Sequence, residues 1–328
     1  AGRTALAAFA RAWMARLPLA DGRSACVTSG GADGDGDGDA GRGVGGDAGA
    51  RLDTHLMSEV LADDRIRQAY GQLMKLNAIL LGLALERLSP GVRERPATRT
   101  RLVRVAESAL TALHGARQLA DAAPGFVEPF TVIAACERLA DLDVDGHWDP
   151  PHLPYVPPAR PVDEAWSAPE ETAAARGAGP EALAAGGPVD VVRDAPARFA
   201  DDGVLAVLGV HRLEAVEEAV RAAPPGARVT VVLVSGHPDE FIPLARLAVA
   251  DVVGCLRSSF PAASWPRLQV VYDASGALAA AAGVPSVSDG TESAVRIVDG
   301  RIVARADGRG ACHAAATANL AHLTPAPR

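Results

Sequence analysis

Four residues of this 328-residue chain have types and settings that suit chemistry: His211, Glu214, Cys255 and Cys312. His211 and Glu214 fall where the apolar run from Val204 to Gly209 gives way to a helical pattern. Three residues apart, they share one face of a helix, and a carboxylate that orients an imidazole makes a general base. The alternative is structural, with Glu214 favouring the dipole at a helix amino end and His211 at a solvent-facing strand end. Cys312 opens the last helical segment, in GRGACHAAA, beside His313. A cysteine at a helix amino end next to a histidine can ionise to a reactive thiolate. Cys255, in ADVVGCLRSSF, is the second candidate nucleophile. A free cysteine also behaves as a small hydrophobe, so inert buried thiols are the alternative for all four, Cys26 and Cys136 included.

Other patterns point away from metals and cofactors. The cysteines are far apart and form neither CxxC nor a metal-type spacing. Asp33, Asp35, Asp37 and Gly38 match the opening of a calcium loop, but Val44 stands where the bidentate Glu is needed. That Gly/Asp tract reads as a flexible linker. His147 and His152 are only two ligands, and His114 lies alone on a helix. No metal and no cofactor is expected. A net charge of −8 and 4% aromatic residues argue against nucleic acid and against an anionic membrane surface. Lys75 is the sole lysine, so the other cations are arginine, in the style of a GC-rich coding sequence. The best candidate for a membrane span, AILLGLAL, is too short to cross a bilayer and has charges on both sides. With no signal-peptide pattern and no paired cysteines, a cytoplasmic location is the expectation.

The elements that must position these residues divide the chain into five parts. Residues 1–50 read as one amphipathic helix and the Gly/Asp linker. Residues 51–142 are helical, with Met57, Val60, Leu61, Tyr70, Leu73, Met74, Leu76, Leu80, Leu81 and Leu88 at three- and four-residue steps. Ser89-Pro90-Gly91 and Ala123-Pro124-Gly125 break this run into three helices. Their wide apolar faces must pack on each other, on the next domain, or on a second copy, so a homodimer through this helical domain is one expectation. Residues 143–188 form a Pro/Ala/Gly-rich linker. Residues 189–323 change grammar to strand, helix, strand, helix, strand, short helix, hairpin, helix, and residues 324–328 are a tail. The hairpin is the sharpest local signal: two alternating strands flank Asp299-Gly300, a dipeptide suited to a type I′ turn. The expected fold is α/β with a central mixed sheet and flanking helices, plus a separate N-terminal α-helical domain.

Three stretches carry a resemblance. VVYDASGALAAAAGV, then AVRIVDGRIVARADGRG, with VTVVLVSGHPDEF before them, resemble the second half of a redoxin, the peroxiredoxin and TlpA-like branch of the thioredoxin fold. The likeness covers residues 189–323. In that family the helix after the first long strand carries a cysteine at its amino end. The matching residues here are His211, Arg212, Leu213 and Glu214, and the peroxidatic motif is absent as well. The proline, arginine or threonine that the family sets before the hairpin would fall near Glu292 and Ser293, and Pro285 is too early. The resemblance therefore implies a thioredoxin-like domain with a degenerate active site, acting as a binding, interaction or accessory module for a protein or small-molecule partner. Its sheet edge and old active-site groove are the natural places to bind. The alternative is a thiol-dependent oxidoreductase that uses Cys312 or Cys255. A third reading gives small-molecule binding to the helical domain, with the redoxin-like part as scaffold.

Overall fold

A computed structural model of the chain describes residues 1–17, 60–88, 101–142, 148, 156, 158–168 and 187–318. Among the described residues the elements begin with helices: α1 (Gly2–Met14), α2 (Asp64–Leu88), α3 (Val103–Ala122) and α4 (Pro129–Leu139). Pro129 at the start of α4 has no N–H to lose, and the Glu128 carboxylate accepts from the Phe130 and Thr131 amides, so this helix start is capped by sequence. Next come β1 (Arg160–Ala165) and a small ladder of β2 (Val189–Asp190) with β3 (Ala195–Pro196). The remaining elements are β4 (Gly203–Gly209), α5 (Ala215–Ala222), β5 (Arg228–Val234), α6 (Pro238–Ser259), β6 (Leu268–Tyr272), α7 (Ala277–Ala281), β7 (Glu292–Val298), β8 (Arg301–Asp307) and α8 (Ala311–Ala316). From β4 onward this is the order expected from sequence. Asp299 and Gly300 both have positive φ, 49° and 68°, as the two-residue turn requires.

Among the described residues the main sheet has six strands in the order β1-β8-β7-β4-β5-β6. Strands β4, β5 and β6 are parallel, while β7, β8 and β1 pair antiparallel. The period-2 alternation of strands assigns its two faces. Val204, Ala206 and Leu208 of β4 join the larger apolar cluster, with the helices. Leu205 and Val207 join a smaller one with Trp166, Phe199 and Leu278 of α7. Strand β1 lies in the stretch read as linker. It is charged and mostly exposed, and it covers the edge of β8.

The early helices share the larger cluster with the sheet. Helix α1 packs on α4 and α6, and α2 packs on α3 and α6. Buried Asn77 of α2 donates to the Ala248 carbonyl of α6 at 2.7 Å. Asp251 of α6 takes Arg16, just after α1, at 3.2 Å and Arg117 of α3 at 2.8 Å. No described helix is long and apolar enough to cross a membrane.

Candidate functional site

In a parallel arrangement, side chains for chemistry gather at the carboxyl ends of the strands. Here that place lies beyond β4 and β5. It holds His211, Ser235, His237 and, from the loop before β7, Asp289. The loop folds back over the end of β4. Thr291 O accepts from Gly209 N–H at 2.8 Å, and Asp289 O accepts from His211 N–H at 2.9 Å. The approach is so close that a Cβ on Gly209 would lie 2.3 Å from Asp289 O, so only glycine fits there.

The side chains are tied to one another rather than left facing a substrate. The Ser235 hydroxyl donates to Asp289 Oδ1 at 2.6 Å, and its oxygen accepts from His237 N–H at 2.9 Å. Gly236 N–H donates to the same Asp289 oxygen at 3.0 Å. Burial opposes ionisation of Asp289, but these two donors and the nearby His211 and His237 overcome it and hold the carboxyl below its ordinary range. Imidazole and carboxylate are 3.7 Å apart at His237 and Asp289. The hydroxyl proton goes to the carboxylate and not to an imidazole, so this trio lacks the serine-to-base bond of a hydrolase. Sequence reading missed Ser235 and Asp289. The available signal was their position at a strand end and in a Ser-Asp-Gly loop.

His211 and Glu214 are not brought together as a base pair. Residues 211–214 form a turn, and α5 begins only at Ala215. The Nε2–H of His211 points to the Arg65 carbonyl, 3.3 Å away, and its ring meets Phe241 edge-on. The Glu214 carboxylate takes Arg212 at 2.7 Å. It also makes a reciprocal clasp with α2: Gln72 Oε1 accepts from Glu214 N–H at 2.9 Å, and Gln72 Nε2 donates to Glu214 Oε2 at 3.3 Å. The amino end of α5 is thus covered by the helical region. The amides of Ala215, Val216 and Glu217 are taken by the carbonyls of Arg212, Leu213 and Glu214, so no free N–H groups are left there to favour an anion or thiolate.

The thiols sit elsewhere. Cys255 lies in the last turn of α6, fully buried, and desolvation pushes its thiol up to about 11. Cys136 of α4 is pushed to about 11 by the same cause. Cys312 in α8 is fully buried. Burial, then the carboxylates of Glu292 and Glu218, raise its thiol well above the ordinary value, against a smaller opposing effect of Arg212. His313 beside it faces Trp148, with ring centroids 6.2 Å apart, and burial lowers its basicity. Cys26, His147, His152 and the Asp33–Asp37 tract lie outside the described residues. Among the described residues, no group of three or more His, Cys, Asp or Glu could hold a metal ion.

Around Cys312 is a buried polar cluster. Glu292 accepts Arg212 through Nε at 2.9 Å and Nη2 at 2.6 Å, and its other oxygen accepts Gly310 N–H at 2.7 Å. Glu218 fares worse, since its Oε2 is buried without a partner. Desolvation, then repulsion from Glu292, raise its carboxyl to about 7. A carboxyl raised in the folded state holds its proton more tightly folded than unfolded. Its contribution is present at low pH and is lost as pH rises from the ordinary carboxylate range through about 7. Glu218→Gln is therefore expected to raise the unfolding midpoint at pH 8 and to leave it nearly unchanged at pH 5. Equal shifts at both pH values in thermal melts would refute this account.

Against family models, curated proteins and solved structures, the chain has no match.

Proposed function

We propose that this chain is a redoxin-like protein without redox chemistry, acting as a binding or accessory module. The observation that carries the reading is the clasp of Gln72 on Glu214. In the redoxin resemblance, the amino end of α5 is where a thiolate would form. Here it has no cysteine, and a neighbouring helix occupies its amide. Two further features support the reading. Strand β6, the short α7 and the β7–β8 hairpin follow one another over the stretches that carry the resemblance. Cys255 and Cys312 are both buried, with thiols shifted away from the thiolate that exchange chemistry needs.

The test is alkylation of each thiol against pH in the native full-length chain, read by peptide mass spectrometry. Cys255 and Cys312 are expected to react only as fast as the protein unfolds, with no plateau at low pH. In parallel, Cys312→Ser and Cys255→Ser are expected to leave the rate of peroxide consumption at the level of the unaltered chain. A thiol that titrates well below about 8.5, with peroxide turnover lost on its substitution, would sink the proposal and make that residue the nucleophile.

A further inference from the structure

An open groove of about 580 Å³ lies between helices α2 and α3. That volume is in the range of small-molecule pockets. The wall is mainly apolar, from residues such as Met74, Ala78 and Leu110. Two glycines widen it, Gly71 on α2 and Gly115 on α3. A Cβ at either would meet nothing within 4 Å. Gly82 is different: a Cβ there would lie 2.6 Å from Val103 Cα, so the close contact of α2 with the start of α3 requires it. Glycine weakens a helix interior relative to alanine. At Gly71 and Gly115 no packing demand explains it, and both open onto the same space.

The charge of the groove is balanced. Lys75, the sole lysine of the chain, meets Glu107 across it at 2.5 Å. His114 in the wall is held neutral near pH 7, its basicity lowered to about 4 by burial and then by the charge of Arg117. An anionic ligand at Lys75 would strip Glu107 of its partner, and a cationic one at Glu107 would strip Lys75. With side chains 52% and 31% exposed, the pair is solvated and leaves the groove no net charge with which to draw an ion. The polar groups left for recognition are neutral. The Thr111 hydroxyl donates to Glu107 O at 2.8 Å, which leaves its oxygen as an acceptor, and the Gln118 amide also lines the groove.

We propose that the α2–α3 groove binds a small, uncharged, mostly apolar molecule that carries a hydrogen-bond donor. The inference deepens the binding-module reading by giving it a place and a ligand class, and it rests on that reading. The two fail separately, because thiol reactivity decides one and probe binding the other.

The probe is N-phenyl-1-naphthylamine, uncharged with a single N–H, titrated into the full chain by fluorescence. Its sulfonated counterpart, 1-anilinonaphthalene-8-sulfonate, supplies the charged comparison. The neutral probe is expected to saturate at one per chain and to bind at least about tenfold more tightly than the sulfonate, a difference of the size expected for desolvating a charge. Gly71→Leu and Gly115→Leu fill the groove and improve helix propensity. Each is expected to weaken binding at least about tenfold while raising Tm by roughly 2–4 °C. Loss of binding with a raised Tm cannot be misfolding. Four results would overturn the proposal: no saturable binding, binding unmoved by both leucines, sulfonate binding as tight as the neutral probe, or binding that falls as the chain dimerises.

Discussion

Replacing Glu217 by alanine is expected to destabilise the protein by about 3–5 kcal/mol, because it breaks a buried ion network from the middle. Glu217 on α5 takes Arg101 bidentately, at 2.7 Å and 2.6 Å, and Arg221 at 2.7 Å. Arg221 continues to Glu86 at the end of α2, at 2.8 Å, and Glu86 also accepts Leu102 N–H at 3.0 Å. Two cations balance two anions, and the four side chains are at most 19% exposed. Without Glu217 the Arg101 guanidinium is left largely buried beside Arg221, with like charges facing. Replacing both Arg101 and Glu217 by methionine should recover much of the loss, since a removed pair leaves no orphan. Burial opposes ionisation of Glu217, but its bonds to the two arginines outweigh that and lower its carboxyl. A depressed carboxyl contributes stability above the ordinary carboxylate range and loses it as pH falls below that range. Denaturant unfolding at pH 7 and pH 3 checks both points: the deficit of Glu217→Ala should shrink in acid. A deficit under 1 kcal/mol at pH 7 would refute the network account.

Phe9→Ala should cost a similar amount, about 3–5 kcal/mol, as expected for deleting a fully buried aromatic ring. Phe9 stacks on Trp13 within α1, with centroids 6.3 Å apart. It meets Phe260, at the end of α6, edge-on at 6.5 Å. The shape of the transition matters as much as its midpoint. If the early helices and the sheet form one cooperative unit, both far-ultraviolet and tryptophan signals shift together in a single step. Two separated steps, with only one moved by Phe9→Ala, would show that the helical part unfolds alone.

The parts of this fold that were legible in the sequence are those set by local chemistry. The Asp299-Gly300 turn reads directly, because few other residues accept positive φ twice in succession. The valine-rich β5 and the apolar β4 read from their runs. Strand β1 did not, because RPVDEA has no apolar alternation and becomes a strand only by finding the β8 edge. The surroundings of His211 and Glu214 were not legible for the same kind of reason. A spacing of three put His211 and Glu214 on one helical face, but the helix starts after them, and partners from α2, Arg65 and Gln72, take their side chains. The buried network at Glu217 shows one local trace, the i,i+4 spacing to Arg221. Its other members come from more than a hundred residues away.

The packing of α1 on α6 has a consequence during synthesis. More than two hundred residues separate Met14 from Pro238. At roughly 5–20 residues per second, α1 leaves the ribosome about 10–45 s before α6 exists. Through that interval the nascent chain carries Phe9, Trp13 and Met14 with no α6 to cover them. The earlier helix waits for a much later one, and in the meantime its apolar stripe is a ready handle for a chaperone or for aggregation.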